Sequence, residues 1–341
     1  PPEASSYVST LAGRPLPSML RSLRSRAMSL PQPARGALRY LWLVADGERP
    51  RATTPVTRRA LSRNPTTYRQ KMMYKLARDR RPLIGMFADK VAVRDYVSET
   101  VGASWLKETF AVADRAADLP WDNLPREVVL KVSHGSGGVI LVTESAEVSA
   151  RLPSAAEHPG WSRHHVHPDS VTRAQLAELL DHWLSLRYGR GRGQSREWAY
   201  TTIEPRILAE EFIGSDQDIL GELWVHCFDG RPGSFVIVGR GPAFEEVGLV
   251  RFLRGEEDEA CAASGLSADV WDAVVAASAA LARTTDAVRV DWLISERGPL
   301  FGELTNYPGG GRLMFTGHPR LTPQETHDLV ASMWTVPKRY V

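Results

Sequence analysis

Two apolar runs near the end of the chain decide its fold: residues 288–294 are VRVDWLI and residues 300–306 are LFGELTN. The polar segment between them, SERGP at residues 295–299, has the composition of a hairpin turn. Each run carries one carboxylate, Asp291 in the first and Glu303 in the second. Antiparallel neighbours bring such residues to the same depth on one face of a sheet. The stretch therefore predicts a β-hairpin that presents two carboxylates side by side.

This predicted carboxylate pair has two interpretations. Asp291 and Glu303 lie on a solvated face, or they bind a divalent cation that removes the cost of burying two repelling charges. A few hard oxygen ligands suit Mg²⁺ that is held together with the phosphates of a nucleotide. Arg289 lies two residues before Asp291 and therefore shares its face of the strand. A cation beside two anions favours a phosphate-handling site.

The composition is that of a soluble globular protein, with 43% hydrophobic and 24% charged residues in a chain of 341. This length predicts two or three lobes. No apolar run reaches about 18 residues, so we expect no transmembrane helix, and the first residues, PPEASS, lack the apolar segment of a signal peptide. The only cysteines are Cys227 and Cys261, so no disulfide framework is expected and a cytoplasmic location is favoured.

Charge is distributed unevenly along the chain. The net charge is +2, but residues 1–70 contain twelve arginines and three acids. Such a basic arm suits an anionic substrate, a membrane surface or nucleic acid. Alternatively, it is a solvated helical face that packs on the acidic remainder of the chain. The sequence has no RNA-binding aromatic motif and no zinc-ligand spacing, so we do not expect a nucleic-acid partner.

Lysine is sparse, with six in the chain, and Lys131 is notable because it lies inside the apolar run 128–132. The glycine-rich segment SHGSGG follows at residues 133–138, and a second apolar run follows at residues 139–142. Backbone amides of glycine can approach phosphate oxygens closely because no Cβ is in the way. The segment precedes a strand and lacks Gly-Lys-Ser/Thr, so it is neither a Walker loop nor a Rossmann fingerprint. The alternative is a flexible hairpin whose lysine stem lies in the core.

The rest of the chain shows alternating helical and strand periodicity. Asn64 is predicted to cap a helix whose first residue is Pro65. Helices are predicted over residues 65–80, 89–100, 171–188, 267–284 and 323–334. Strands are predicted over residues 106–112, 128–132, 139–142, 203–214, 220–228 and 234–240, besides the hairpin over residues 287–306. Residues 150–170 are predicted to form a loop, and the spacing of its histidines fits no standard metal-ligand set.

Taken in chain order, these features resemble the ATP-grasp superfamily, and whole phrases resemble its TupA-like (teichuronopeptide-biosynthesis-type) family. The phrases are FADKVAVRDYV at residues 87–97, LKVSHGSG at 130–137, EWAY at 197–200, ILAEE at 207–211, CFDG at 227–230 and FGELT at 301–305. The resemblance covers roughly residues 65–320. It implies an α+β fold, the ATP-grasp fold, in which two α+β lobes clamp a nucleotide. The implied domains are a basic, mainly helical region over residues 1–104, a lid subdomain over 105–214 and a catalytic subdomain with the metal site over 215–341.

The resemblance also implies roles for individual residues. Lys90 and Lys131 would hold the phosphates of ATP. The glycine turn would close over them through His134, Gly135, Ser136, Gly137 and Gly138. Glu210, Glu211, Phe212 and Ile213 would run along the adenine, and Glu211, Asp216 or Asp218 would meet the ribose.

The remaining implied roles concern the metal, the intermediate and the substrate. Mg²⁺ would be bound by Asp291, Glu303 and Thr305. Arg289 would stabilise a phosphorylated intermediate, with Lys131 and Arg240 as further catalytic residues. The loop after the metal strand would bind substrate through Asn306, Gly309, Gly310, Gly311 and Arg312, unless it is a plain turn.

Three positions depart from the family pattern. Thr305 stands where many ATP-grasp enzymes have the asparagine of the metal site, and Asn306 follows one residue later. Strand alternation directs Thr305 toward the site and Asn306 away from it. Trp224 stands where we expect a lysine, and Glu222 where we expect an aspartate. These departures affect the prediction of which acceptor substrate is used more than the prediction that ATP is used.

The implied activity is that of an ATP- and Mg²⁺-dependent ligase, which joins a small-molecule carboxylate and an amino-acid-like or peptide-like amine through an acyl phosphate. A natural-product or cell-envelope polymer pathway is expected. Two alternatives stay open: a kinase on the same fold and a non-catalytic nucleotide-binding scaffold. The sequence shows no Ser-His-Asp or Cys-His arrangement, and the implied mechanism needs no nucleophilic side chain. The two substrates and the oligomeric state stay open, with a homodimer among the options.

Overall fold

The computed structural model describes residues 64–186, 188, 197–214, 221–241, 246–295, 297–313 and 315–340. The chain divides into two compact units, Pro1–Asn64 and Pro65–Val341. Residues 1–63 lie outside the described part, so the basic helical region predicted there stays a prediction. The account that follows concerns the second unit.

The described residues of this unit form helices and two five-stranded sheets. The helices are α1 Tyr68–Arg78, α2 Pro82–Ala88, α3 Ala92–Val101, α4 Arg173–Ser185, α5 Glu257–Ser264, α6 Ala268–Ala282 and α7 Pro323–Ser332. The first sheet contains β1 Thr109–Ala113, β2 Val128–Val132, β3 Val139–Val142, β4 Arg163–Val166 and β5 Ile207–Glu210. The second contains β6 Gly221–Phe228, β7 Arg231–Arg240, β8 Glu246–Leu253, β9 Ala287–Ser295 and β10 Gly298–Thr305.

The first sheet has the strand order β1-β5-β2-β3-β4. Its neighbouring strands are antiparallel except β3 and β4, which are parallel. Alternate residues such as Leu130 and Val132 pack under α4, whose Leu179 and Trp183 are fully buried. Because side chains alternate between faces, Lys131 is directed to the opposite face. This alternation places a lysine on the face of the sheet that lacks α4.

The second sheet has the strand order β10-β9-β6-β7-β8, and all of its pairs are antiparallel. Along β9 one set of alternate residues packs against α6 in a buried cluster: Val288, Val290, Trp292 and Ile294. The other set contains Arg289 and Asp291. Full burial of each such apolar side chain is worth about 1.5–3 kcal/mol. A slip of one residue would expose this set and bury the charges, so the alternation fixes the register.

Helices α1 to α3 belong to the core of the second sheet. Val93 and Val97 of α3 are buried with the α6 cluster. Tyr68 and Met72 of α1 are buried in a third cluster that includes Trp334 near the C-terminus. The two sheets are separated by residues 211–220, close to the boundary predicted at residue 214. The division into three parts at residues 104 and 214 stays a prediction.

A buried ion-pair network ties α1 to the start of β9. The ammonium of Lys75 lies 3.1 Å from a carboxylate oxygen of Asp79 and 2.5 Å from one of Asp286. It also donates to the hydroxyl of Thr285 at 2.9 Å. Lys75 and Asp79 have no solvent exposure. The indole of Trp334 and the hydroxyl of Tyr340 donate to Asp286, so the C-terminal segment joins the same network.

The predicted start of α1 was wrong by three residues. Thr67, not Asn64, is the cap: its hydroxyl accepts from the backbone N–H of Gln70, whose side chain returns the bond in a capping box. Predicted helix 89–100 begins at Ala92, because the Asp89 carboxylate accepts from the first backbone amides. The local pattern of Thr-x-x-Gln was present in the sequence and outweighed the Asn-Pro pair.

Four elements were absent from the sequence prediction. They are α2, α5, β4 and β8. Strand β4 lies inside the predicted loop 150–170, since its residues RHHV carry no apolar alternation and are ordered by pairing with β3. Helix α2 is seven residues long and apolar throughout, which leaves no helical periodicity to detect. The predicted strands 106–112 and 203–214 are shorter, at Thr109–Ala113 and Ile207–Glu210.

Among the described residues, no single helix has the length and apolar character to cross a membrane. Helices α5 and α6 satisfy that criterion only when they are taken together, and the bend between them is 113°.

Candidate active site

A cleft of about 480 Å³ lies between the free faces of the two sheets. From the first sheet and its connections it is lined by Lys131, Ser136, Gly137 and residues 210–213. From the second sheet it is lined by Arg240, Arg289, Asp291 and Glu303, and Lys90 lines it from the segment between α2 and α3. The fold thus collects most of the predicted site residues, although they are spread along the chain from Lys90 to Glu303.

The two predicted metal carboxylates are direct neighbours across the β9–β10 hairpin. Asp291 is the register partner of Glu303, and an irregularity between Phe301 and Glu303 sets this register. Gly302 lies at that irregularity, where a Cβ would come 3.0 Å from the carbonyl oxygen of Asp291. A side chain at position 302 would therefore push the two strands apart at the carboxylates.

Arg289 and Thr305 complete this group. The Nε of Arg289 donates to Asp291 at 2.6 Å, and its guanidinium lies 3.7 Å from Glu303. The Thr305 hydroxyl donates to Glu303 at 3.0 Å and accepts from Arg289 at 3.2 Å. One guanidinium is therefore shared between two carboxylates.

Burial raises the pKa of Asp291 to about 7, because the opposing charge of Arg289 does not offset the loss of water and the nearby carboxylates of Glu303 and Glu222. For Glu303, the reduced hydration within the cleft raises the pKa, but Lys90 and Arg289 outweigh it and hold the pKa below its usual value. Burial lowers the pKa of Arg289, but Asp291 and Glu303 outweigh it and raise the pKa above its usual value. Loss of water is thus the main cause of the raised pKa of Asp291, whereas the neighbouring carboxylates are the cause of the raised pKa of Arg289.

A divalent cation fits this group on the chemistry of its donors. Two carboxylates and a hydroxyl are hard oxygen ligands of the kind that Mg²⁺ takes in small numbers. Within the described part of the chain, no group of three or more His, Cys, Asp or Glu side chains is arranged to hold a metal ion. The remaining ligands would have to come from water and from another molecule, such as the phosphates of a nucleotide.

Opposite the carboxylates, a buried glutamate holds two lysines. The ammonium of Lys107 donates to Glu210 at 2.6 Å, and Lys131 pairs with the same carboxylate oxygen. Arg94 lies 3.6 Å from the other oxygen. Burial raises the pKa of Glu210, but Lys107 and Lys131 outweigh it and lower the pKa to about 2. Two lysine cations against one carboxylate leave this side of the cleft with positive charge for an anion.

Lys107 and Arg94 were missed by the sequence analysis. Both line the cleft, as do Trp161, in the connection before β4, and Arg163, the first residue of β4. Lys107 is one of six lysines in the chain, and this scarcity was the signal that could have found it. Arg94 and Arg163 gave no such signal, because they are two of 36 arginines in the chain and their roles depend on distant partners.

The glycine turn, residues 133–138, is contacted from two sides. The Lys90 ammonium donates to the carbonyl oxygen of Gly135, so in this state Lys90 bonds to the turn. Ser136 and Gly137 line the cleft, and Gly135 and Gly138 do not. His134 is buried at 1% exposure, and its Nε2 shares a hydrogen bond with the Leu186 carbonyl at 3.1 Å. Of the turn residues, Ser136 and Gly137 are therefore the ones placed to meet a ligand.

The segment after β5 follows the cleft wall. Glu211, Phe212 and Ile213 line the cleft, and the Glu211 carboxylate accepts from the backbone N–H of Glu108 at 2.9 Å and pairs with Arg297 at 2.6 Å. Asp216 and Asp218, the predicted ribose contacts, lie outside the described residues.

The predicted substrate loop lies apart from the cleft. Asn306, Gly309, Gly310, Gly311 and Arg312 are not among the cleft-lining residues, and neither is Thr305. The Asn306 side chain is buried and donates to the carbonyl of Ile84 at 3.0 Å, and a Cβ on Gly311 would meet Met72 at 3.2 Å. The loop therefore packs on α1 and α2, and its role in substrate binding stays a prediction.

The two unusual positions of β6 form a polar group at the cleft wall. Glu222 accepts from the Trp224 indole at 2.7 Å and from the Nε of Arg240 at 3.1 Å. The guanidinium of Arg289 lies 4.3 Å from the centre of the Trp224 ring. An aromatic face next to this guanidinium contributes about 0.5–2 kcal/mol and keeps it oriented toward Asp291.

Two α+β lobes with a basic hairpin on one side of a cleft and paired carboxylates on the other define the ATP-grasp class of proteins. The TupA-like ATP-grasp family model matches residues 70–320. The chain belongs to the TupA-like ATP-grasp family, and both the predicted family and the predicted α+β fold class are confirmed.

Similar solved structures include D-alanine–D-alanine ligase from Bacillus anthracis, with 15% identity, a TM-score of 0.36, and coverage of 73% of this chain and 67% of that one. VanG D-Ala:D-Ser ligase from Enterococcus faecalis is 13% identical, with a TM-score of 0.39 and coverage of 73% and 62%. D-cycloserine synthetase DcsG is 16% identical, with a TM-score of 0.38 and coverage of 74% and 70%. The chain thus spans 62–70% of the length of these proteins, and they add nothing to the family assignment. No curated protein matches the chain.

Proposed function

We propose that this protein is an ATP- and Mg²⁺-dependent carboxylate–amine ligase that forms an amide or peptide bond between two small molecules. The observation that supports this most is the arrangement of charge in one cleft. The register pair Asp291 and Glu303 with Arg289 lies on one wall, and Lys131 with Lys107 and Glu210 lies on the other. The carboxylate group has more negative than positive charge, and the lysine group has more positive than negative charge. This arrangement suits a metal-bound triphosphate between them.

In this proposal the nucleotide lies along the first sheet. Lys131 and Lys90 bind its phosphates, and Ser136 and Gly137 cover them, since these residues already line the cleft. Residues 211–213 and Glu210 present backbone groups to the adenine edge. The cations act by charge and need no exact geometry, because a lysine ammonium is a flexible point charge.

Asp291 and Glu303 would hold the metal, with Thr305 as a weaker ligand or as a partner for bound water. A bound Mg²⁺ would neutralise the charge that develops on the transferring phosphoryl group. The Thr305 hydroxyl already bonds to Glu303, so it orients that carboxylate in either case.

The proposed chemistry starts from a carboxylate, which is a poor acyl donor because oxide is a poor leaving group. Its oxygen attacks the γ-phosphorus of ATP, ADP leaves, and an acyl phosphate remains. The amine nitrogen then attacks the acyl carbon, inorganic phosphate leaves with the electron pair of the C–O bond, and the amine loses one proton. In this proposal Arg289 stabilises the acyl phosphate, with Lys131 and Arg240 as further catalytic residues; all three line the cleft.

This function is tested by ADP release from the purified chain with MgATP and a panel of acids and amines, followed by mass spectrometry of the product. A ligase releases ADP and phosphate only when an acid and an amine are both present. The mass of its product equals the summed masses of the acid and the amine minus that of water. ADP release with a phosphorylated product and no amine requirement would identify a kinase. Absence of MgATP binding would reject nucleotide use altogether.

A further inference from the structure

The ring of Trp161 fills the space beside the glycine turn, residues 133–138. A Cβ on Gly135 would lie 2.3 Å from Cζ3 of Trp161, and 2.5 and 2.7 Å from two other atoms of the same ring. A Cβ on Gly138 would lie 2.9 Å from Cε3 of that ring. Carbon atoms that are not bonded do not approach this closely. The indole therefore fills the volume that a side chain at either glycine would need.

The indole is fixed by other rings and cannot turn aside freely. It meets His134 edge-on with ring centres 5.2 Å apart, and Tyr188 in the same manner at 5.9 Å. Such edge-to-face pairs are worth about 0.5–1.5 kcal/mol each. Trp161 also directly precedes Ser162, whose carbonyl accepts from the backbone N–H of Val139 at 3.2 Å. The ring is therefore tied to the strand that leaves the turn.

From the other side the turn is held by Lys90. Its ammonium donates to the Gly135 carbonyl, and its backbone N–H donates to the Ser133 carbonyl at 3.4 Å. The proposed function assigns this ammonium to phosphate, so phosphate and the Gly135 carbonyl compete for it. Once the ammonium turns to phosphate, the Trp161 ring remains as the contact that fixes the position of Gly135.

We propose that Trp161 is a positioning residue for the nucleotide site. Its indole seats the turn so that Ser136 and Gly137 face the cleft, and positions 135 and 138 are glycine because of this ring and not because of the phosphates. Gly135 and Gly138 do not line the cleft, which agrees with that division. The inference rests on the proposed nucleotide use, because its consequence is measured as affinity for MgATP.

The test is a double-mutant cycle of the full chain: wild type, Gly135→Ala, Trp161→Ala and the double variant, each titrated calorimetrically with MgATP. We expect Gly135→Ala to weaken MgATP binding about tenfold or more when Trp161 is present, and less than about threefold when position 161 is alanine. Trp161→Phe keeps a ring beside Gly135 and should bind MgATP within about threefold of wild type. Trp161→Ala should bind MgATP about tenfold more weakly than wild type. Both proteins are compared at a temperature at which both are folded.

Gly137→Ala is the matched control. A Cβ on Gly137 would come no closer than 3.7 Å, to the backbone oxygen of Trp161, but the φ of +87° is unfavourable for any residue with a side chain. Its effect on MgATP affinity should therefore be the same whether position 161 is tryptophan or alanine.

An equal loss of affinity from Gly135→Ala in both backgrounds would overturn the proposal, and so would wild-type affinity in Trp161→Ala. If the wild-type chain binds no MgATP, the proposed function fails instead. The melting temperatures of the same four proteins then still decide whether the contact exists. Additive shifts would reject it, and a Gly135→Ala loss confined to the Trp161 background would retain it.

Discussion

At the scale of single residues, charge imbalance is the property that gives the cleft its chemistry. Arg289 serves two carboxylates, Asp291 at 2.6 Å and Glu303 at 3.7 Å. Glu210 serves two lysines, Lys107 and Lys131. The first cluster therefore has an excess of negative charge, and the second, which Arg94 also joins, has an excess of positive charge. A metal cation would complete the first cluster and a phosphate would complete the second.

Glu303→Gln should abolish most turnover and leave the fold intact. The carboxylate side chain is 49% exposed, so its loss removes charge from the cleft without opening the core. We expect ADP release to fall by a factor of about 100 or more, by analogy with the loss of one stabilising group at a developing charge. The melting temperature without nucleotide should stay within about 2 °C of wild type.

The control for this prediction is Glu246→Gln, at the exposed start of β8. It removes the same charge from the same sheet at a distance from the carboxylate pair and should retain full ADP release. Equal activity of both variants would remove Glu303 from the metal site.

Glu210→Gln should destabilise the protein in a pH-dependent manner. The folded-state pKa is about 2, below the ordinary value of 4.5, so the carboxylate contributes stability above pH 4.5 and loses it as the pH falls toward 2. The variant should therefore lose on the order of 3 kcal/mol of unfolding free energy at pH 7, and progressively less below pH 4.5. Urea unfolding of both proteins at pH 7, 4 and 3 measures this. A difference that does not change with pH would contradict the ion pair.

At the scale of elements, two hairpins that line the cleft and the start of α1 follow different rules. The β9–β10 hairpin is fixed by strand alternation and by the irregularity at Gly302. The β2–β3 hairpin is fixed by the Trp161 ring, which comes from a later strand connection. Helix α1 is fixed locally, because its capping box needs only Thr67 and Gln70. Of these three elements, only the β2–β3 hairpin depends on a residue outside its own stretch of sequence.

Thr67→Ala should cost about 1 kcal/mol of unfolding free energy, because it removes the acceptor for the Gln70 amide and one half of the capping box. Urea unfolding of the full chain measures this loss. Asn64→Ala, at the position that the Asn-Pro pair had suggested, should cost less. The reverse order of the two losses would restore Asn64 as the cap.

At the scale of the whole second unit, the C-terminal segment and α1 are joined to the second sheet through a buried charge network. Lys75 bonds to Asp79, Asp286 and Thr285, and Trp334 and Tyr340 bond to Asp286. Burial raises the pKa of Asp79, but Arg81 and Lys75 outweigh it and hold the pKa below its usual value. Each of these charges is compensated only in the assembled structure.

Lys75→Met should destabilise the fold by about 3–5 kcal/mol, because it leaves the carboxylates of Asp79 and Asp286 buried without their common cation. Denaturant unfolding provides the measurement. The double variant Lys75→Met/Asp79→Asn removes one of the stranded charges and should recover part of the loss. Two independent, additive losses would show that the network does not act as a unit.

Local periodicity was sufficient for several parts of the fold and the site. It predicted the carboxylate hairpin, the lysine strand with its glycine turn, and the long helices α4, α6 and α7, all close to their observed bounds. These elements have clear two-residue or 3.6-residue repeats of apolar side chains. It failed for β4, whose RHHV sequence has no such repeat and whose order comes from pairing with β3.

By itself, the sequence determined which residues share a strand face, and so it placed Arg289 with Asp291 and kept Lys131 off the α4 face. Only the tertiary structure decided which residues meet across the cleft and within the first sheet. Lys107 and Glu210 are 103 positions apart, and the ring that fills the space beside Gly135 belongs to a strand connection that no local pattern indicated. Strand alternation acts between neighbours in the chain, whereas these contacts arise when separate strands are packed together, and no repeat along the chain encodes them.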